Sequence, residues 1–165
     1  MSSDITIFID ADGCPVVDAT IKIANRAQIK CVIICNTAHV FQKEGATTVT
    51  VPKGKDSVDF VLVNMIKKGD VVVTQDYGLA AMCLAREAIP IRQDGFLYTA
   101  ANIDMLLMQR HTASQIRKSG KNARGLSSGM PRFEGSFEAS LRKLLNMQNE
   151  RGCCKTRSHF GLGPG

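Results

Sequence analysis

Short β-branched runs alternate with longer stretches of helical apolar spacing along this chain, and that alternation narrows the fold more than any other feature. Ile5–Ile9, Cys31–Cys35, Thr47–Val51 and Val71–Thr74 are runs of four or five residues that read as buried strands, with a shorter extended piece at Pro90-Ile91. Between them, Val16–Ala27, Asp56–Lys68 and Leu79–Ala88 repeat apolar residues at the spacing of a helix face. In the second of these, Val58, Val61, Leu62, Met65 and Ile66 form one stripe, and Gly69 supplies the stop. Strands of about five residues alternating with helices of about twelve predict an α/β domain. Its central sheet is mainly parallel and covered on both faces.

The remainder extends that domain. Thr99–Arg117 reads as one long helix capped by Thr99 or Asn102, Ser119–Gly135 as a mobile Gly/Ser/Lys/Arg-rich loop, and Phe137–Gln148 as a final helix. A single domain is expected over residues 4–148, with 149–165 as a flexible, disordered C-terminal tail. A length of 165 residues suits one core. No apolar run reaches the roughly 18 residues a membrane span requires. Met1-Ser2-Ser3-Asp4 has no basic segment before the first strand and does not read as a secretory signal. Six cysteines without scaffold spacing, three of them inside apolar runs, point to a reducing, cytoplasmic setting.

Charge is unevenly placed. Residues 1–105 carry 10 Lys/Arg against 12 Asp/Glu, whereas residues 106–165 carry 11 Lys/Arg against 3 Glu. An acidic front and a basic back suggest a polyanion handled by one part and held by the other, against the plainer reading of solvated helix faces.

Ligands of parallel α/β sheets bind beyond the carboxyl ends of the strands. Two strands here run directly into acids: Ile5–Ile9 into Asp10-Ala11-Asp12, and Val71–Thr74 into Gln75-Asp76. If those strands are neighbours, Asp10 and Asp76 lie side by side with Asp12 close, a mutually repelling group that a divalent cation would stabilise. Each acid taken alone has a plainer reading as a helix cap or turn residue. Asp56 and Asp59, three apart at a helix start, project from one side; Asp56 suits a cap and Asp59 is the better candidate to reach the cluster. Oxygen ligands alone favour Mg²⁺ or Mn²⁺ over Zn²⁺. Cys14, at a helix N-terminus, is the one tempting nucleophile, but Thr20 stands where a phosphatase loop would need arginine, and packing is the expected role.

The segments DADGCP (Asp10–Pro15), GKDSVD (Gly54–Asp59), GDVVVTQDYGLA (Gly69–Ala80) and LYTAANID (Leu97–Asp104) together resemble the bacterial YaiI/YqxD family, from about Ile5 to Leu145. The resemblance implies a PIN-like three-layer α/β sandwich, related to NYN nucleases, whose acidic centre binds Mg²⁺ or Mn²⁺. It matches Asp10 to the first-strand acid, Asp76 to the acid of a T-x-D motif and Asp59, with Asp56 beside it, to the helix acid. Gly95-Phe96-Leu97-Tyr98-Thr99 lacks the acid that many relatives carry there.

The expected activity is therefore a metal-dependent phosphodiesterase, ribonuclease-like and acting on RNA. Asp10, Asp59 and Asp76 are the catalytic candidates and, with Asp12, the metal ligands; Asp56 and Thr74 support them. Arg117, Lys118, Lys121, Arg124 and Arg132 are the candidate RNA-backbone contacts, and Tyr77, Phe96 and Tyr98 the candidates for base stacking. The alternatives are a non-catalytic module that binds RNA or a protein, and a metal-dependent small-molecule phosphatase. Homo-oligomerisation stays open.

Overall fold

The computed structural model describes residues 5–12, 14–37, 42–54, 57–120 and 135–153. Five strands, β1 (Thr6–Asp10), β2 (Lys30–Asn36), β3 (Thr47–Val51), β4 (Val71–Val73) and β5 (Ile89–Ile91), form one sheet in the order β3-β2-β1-β4-β5. Among the described residues these strands pair in parallel throughout, and one isolated antiparallel bridge joins Ile91 to Leu97. The chain starts in the middle, winds outward through β2 and β3, then returns to the other side of β1 with β4 and β5. Five helices accompany the sheet: α1 (Val17–Arg26), α2 (Ser57–Met65), α3 (Tyr77–Ala85), α4 (Ala100–Lys118) and α5 (Phe137–Cys153). The α/β class and parallel sheet expected from the sequence are those observed.

Parallel strands must be covered on both faces, and strand alternation divides the core accordingly. Ile7, Ile9, Val71 and Val73 pack on one side with Val17, Ile21 and Ala24 of α1 and Phe137, Leu141, Leu144 and Leu145 of α5. Phe8, Val32, Ile34 and Val72 pack on the other with Leu62 of α2 and Leu79 and Cys83 of α3. A third cluster, Ala80, Tyr98, Ile103 and Leu106, joins α4 to the outside of α3.

Local chemistry explains the element ends. Pro15 lies in the turn before α1, whose first turn is closed by Thr20, donating through both N–H and hydroxyl to the Val16 carbonyl. α2 stops at Met65, short of the expected Lys68, because the buried Asp70 draws the chain into a turn. Its carboxylate accepts from the Lys67 N–H at 2.8 Å and from the Thr6 N–H at 2.9 Å, tying that turn to the start of β1. Gly69 takes the left-handed φ of +88° that this turn requires. Thr99 and Asn102 cap α4 together: the Asn102 Oδ1 accepts from the Thr99 N–H while the Thr99 carbonyl accepts from the Asn102 and Ile103 N–H groups. Pro90, without a donor, sits in the edge strand β5, where the loss is tolerated.

α5 runs to Cys153, beyond the Gln148 expected from the sequence, so residues 149–153 belong to a helix and not to the tail. Residues 154–165, the rest of the expected tail, lie outside the described residues. Leu141 is fully buried between α1 and the sheet. Leu141→Ala should lower the free energy of unfolding by about 2–5 kcal/mol, as large-to-small changes in a closed core do. Urea titration followed by circular dichroism measures it; a loss within a few tenths would remove α5 from the domain core.

Candidate functional site

The order of the sheet reverses between β1 and β4, and in open parallel sheets that reversal leaves a crevice at the strands' carboxyl ends. Ile9 is paired with Val73 across the two strands, so the next residues, Asp10 and Thr74, leave the sheet side by side. Alternation from Phe8 and Val72 turns both toward the layer of α2 and α3. Thr74 is buried and links the two acids: its hydroxyl donates to Asp10 Oδ2 at 3.0 Å and accepts from the Asp76 N–H at 3.0 Å.

Asp76 then starts α3. Its Oδ1 accepts from the N–H groups of Gly78 at 2.7 Å and Leu79 at 3.1 Å, an N-cap that satisfies two otherwise unpaired donors. Arg110 of α4 brings its Nη1 to 3.6 Å from the same oxygen. None of these contacts uses Oδ2. The cap reading and the cluster reading of Asp76 thus describe one side chain, whose Oδ1 holds the helix while its charge acts on Asp10.

Asp10 is the electrostatically costly member. Burial pushes its carboxyl above the ordinary value of 3.8, opposed by the hydrogen bonds from Thr74 and from the Asp12 backbone and reinforced by the charges of Asp12 and Asp76. Asp12 is exposed. Asp59, half-buried in the first turn of α2, lies on the same side of the sheet. Its charge and that of Asp10 both act on the Cys83 thiol, which burial chiefly raises to about 12. Cys14 is half-buried against the α1 and α5 core, and desolvation raises its thiol as well, the opposite of what a nucleophilic thiolate needs.

Among the described residues, no three His, Cys, Asp or Glu side chains stand close enough to hold a metal ion by themselves. Asp10, Asp12, Asp59 and Asp76 are therefore not a closed protein cage. Mg²⁺ and Mn²⁺ do not require one: Mg²⁺ commonly takes one or two carboxylates and completes its shell with water and substrate phosphate. Asp10, whose carboxylate Thr74 ties to the Asp76 backbone, and Asp76 and Asp12, whose charges act on it, are oxygen donors that fit an ion held in that way.

Other residues singled out from the sequence fall elsewhere. Lys118 is exposed in the last turn of α4, and Arg117 lies in that helix with its side chain outside what the structure describes. Asp56, Lys121, Arg124 and Arg132 lie outside the described residues. The expectation that Tyr98 stacks on bases is corrected: it is 2% exposed, wedged edge-on between Tyr77 and Phe96 in the α3–α4 cluster. Its aromatic ring is interior packing. Phe96 carries the Arg92 guanidinium 4.8 Å above its ring, and Arg92 is in turn held by Asp94. Arg110 was not among the candidates; nothing in its sequence neighbourhood distinguishes it from other exposed helix arginines.

A family model described as "Uncharacterized BCR, YaiI/YqxD family" matches residues 8–147. A UPF0178 protein of Exiguobacterium sibiricum is 46% identical over 144 residues, covering 87% of this chain and 99% of its own length. One from Alkaliphilus oremlandii is 49% identical over 153 residues, covering 93% and 96%. A solved structure of Rae1 (YacP) from Bacillus subtilis aligns over 92% of this chain and 99% of that one, at 10% identity and a TM-score of 0.42. An overlap that weak carries nothing over to this chain.

The buried Asp10 has a consequence for stability. A carboxyl raised above 3.8 binds its proton more tightly in the folded than in the unfolded chain. The stability that proton confers is complete below 3.8 and is lost as pH rises through the folded value, so at neutral pH the fold carries an unfavourable buried charge. Asp10→Asn keeps an acceptor for Thr74 and removes the charge. In chelator it should melt above the wild type at pH 7, with the difference closing as pH falls through the carboxylate range. Equal melting temperatures at pH 7 would show that Asp10 is not electrostatically strained.

Proposed function

The chain belongs to the YaiI/YqxD family of uncharacterised bacterial proteins, and on that footing we propose that it is a Mg²⁺- or Mn²⁺-dependent phosphodiesterase acting on RNA. The observation that carries the reading is the meeting of Asp10 and Asp76 through the Thr74 hydroxyl at the sheet's switch point. A fold tends to retain a destabilised carboxylate where its charge has a task. The PIN-like resemblance of the DADGCP and T-Q-D segments supports the same assignment.

Asp10 and Asp76, with Asp12 beside them, would hold the cation, which when bound supplies charge neutralisation at the scissile phosphate and an acidified water. Thr74 fixes the Asp10 carboxylate in place and, through the Asp76 N–H, ties the start of α3 to it. Asp59, half-buried on α2 on the same side of the sheet, would be the further carboxylate for the cation. RNA would be held by the basic later portion, with Lys118 and the candidates at Arg117, Lys121, Arg124 and Arg132 on its backbone. Sequence-specific reading is not expected, because Tyr98 is interior. No nucleophilic side chain is needed, in keeping with a raised Cys14 thiol.

One observation favours a second reading, a non-catalytic module that binds RNA or a protein: the Asp76 Oδ1 is already committed to capping α3. The two separate in a single experiment. Asparagine caps a helix as well as aspartate does, so Asp76→Asn should fold normally. It should lose nearly all Mn²⁺-dependent RNA cleavage and the Mn²⁺-induced rise in melting temperature, while Cys14→Ser keeps most of the cleavage. Initial rates on a mixed RNA substrate, with Mn²⁺ or with chelator, provide the measurement. No metal-dependent cleavage by the wild type would leave the binding module standing.

A further inference from the structure

Arg110 is a cation placed at a rim of acids, and the phosphodiesterase reading of that rim leaves it without a task. Asp10, Asp12 and Asp76 by themselves would repel the phosphates of an incoming strand. Arg110 reaches across from α4 to within 3.6 Å of Asp76 Oδ1, the oxygen that also accepts from Gly78 and Leu79. The guanidinium is loosely held there. Its side chain is 58% exposed and that of Asp76 is 40% exposed, so water screens the pair, and the separation exceeds that of a charge-assisted hydrogen bond. A phosphate offers the same guanidinium two oxygens at once, matched to its planar fork of donors.

We propose that Arg110 binds the phosphodiester of an RNA strand entering the crevice between β1 and β4, exchanging its contact with Asp76 for phosphate oxygens. The inference rests on the phosphodiesterase reading above and adds a substrate-binding residue to it. In the free protein the arginine offsets the negative rim. With RNA in place it moves to the phosphate and no longer offsets Asp76 as the substrate arrives. Lys118 lies about 12 Å further along the same helix and is exposed, so α4 carries positive charge away from the rim in the manner of a backbone track.

The test is fluorescence anisotropy with a labelled oligouridylate of about twelve nucleotides, within the usual single-strand site sizes, in chelator so that nothing is cut. Salt is varied. Arg110 is exposed in a helix, and alanine is a strong helix former, so Arg110→Ala should keep the fold, as circular dichroism will verify. Arg86→Ala is the control: the same charge is removed at the C-terminal end of α3, away from the rim. Arg110→Ala should bind roughly tenfold more weakly with a log–log salt slope shallower by about 0.7, the value of one single-strand phosphate contact. Arg110→Lys should recover the slope and only part of the affinity, since lysine keeps the charge and loses the fork. If Arg110→Ala matches Arg86→Ala in both affinity and slope, the proposal for Arg110 is overturned while the RNA reading stands. If the wild type does not bind the oligouridylate at all, the RNA reading itself falls, and Arg110 with it.

Discussion

The pairing of β1 with β4 is the constraint on which the candidate site depends. Ile9 opposite Val73 sets Asp10 beside Thr74, and a hydroxyl in hydrogen-bonding distance of both Asp10 and the Asp76 backbone follows from that register. A slip of one residue would turn Asp10 toward the apolar layer of α1 and α5 and Phe8 away from its own. The register is held by burial on both faces. Ile7, Ile9, Val71 and Val73 have partners on one side, and Phe8 and Val72 on the other, so a one-residue slip would exchange the two sets. Asp70 adds a fixed point at the far end of β1, where its carboxylate ties the Thr6 N–H to the turn that leads into β4.

Within this frame stability and chemistry pull in opposite directions at Asp10. The surrounding core keeps the carboxyl partly out of water, raising its pKa, and Thr74 and the Asp12 backbone return only part of the lost hydration. Asp76 resolves the same conflict differently. Its Oδ1 accepts from two N–H donors at the positive end of α3, so the same side chain that stands near Asp10 also caps a helix. One strand-end acid is therefore structurally favourable and the other structurally expensive. That asymmetry is the physical reason to look for function at Asp10 first.

The third helix layer shapes the approach to this rim. Tyr98, packed between Tyr77 and Phe96, fastens the segment after β5 against α3, and Ile103 and Leu106 hold α4 on the same surface. That packing sets which residues of α4 overhang the acids. Arg110 does so, whereas Met105 and Met108 on the same helix face outward.

Much of this was legible in the residues themselves. Period-two apolar runs and helical stripes are local patterns, and they alone determined the α/β class, the strands and the two acids at strand ends. Asp10 and Asp76 could be named because a buried strand must end where polar residues begin. The sequence left open which strands are neighbours, because pairing joins segments more than sixty residues apart and is decided by how whole layers pack. The end of α2 is open in the sequence for the same reason, since Asp70 stops that helix through a contact with Thr6. Tyr98 looked available in sequence and became interior once α4 closed over it. The overhang of Arg110 on Asp76 belongs wholly to the tertiary structure, since the angle at which α4 crosses α3 is set by side-chain packing at their interface and is encoded in no local pattern.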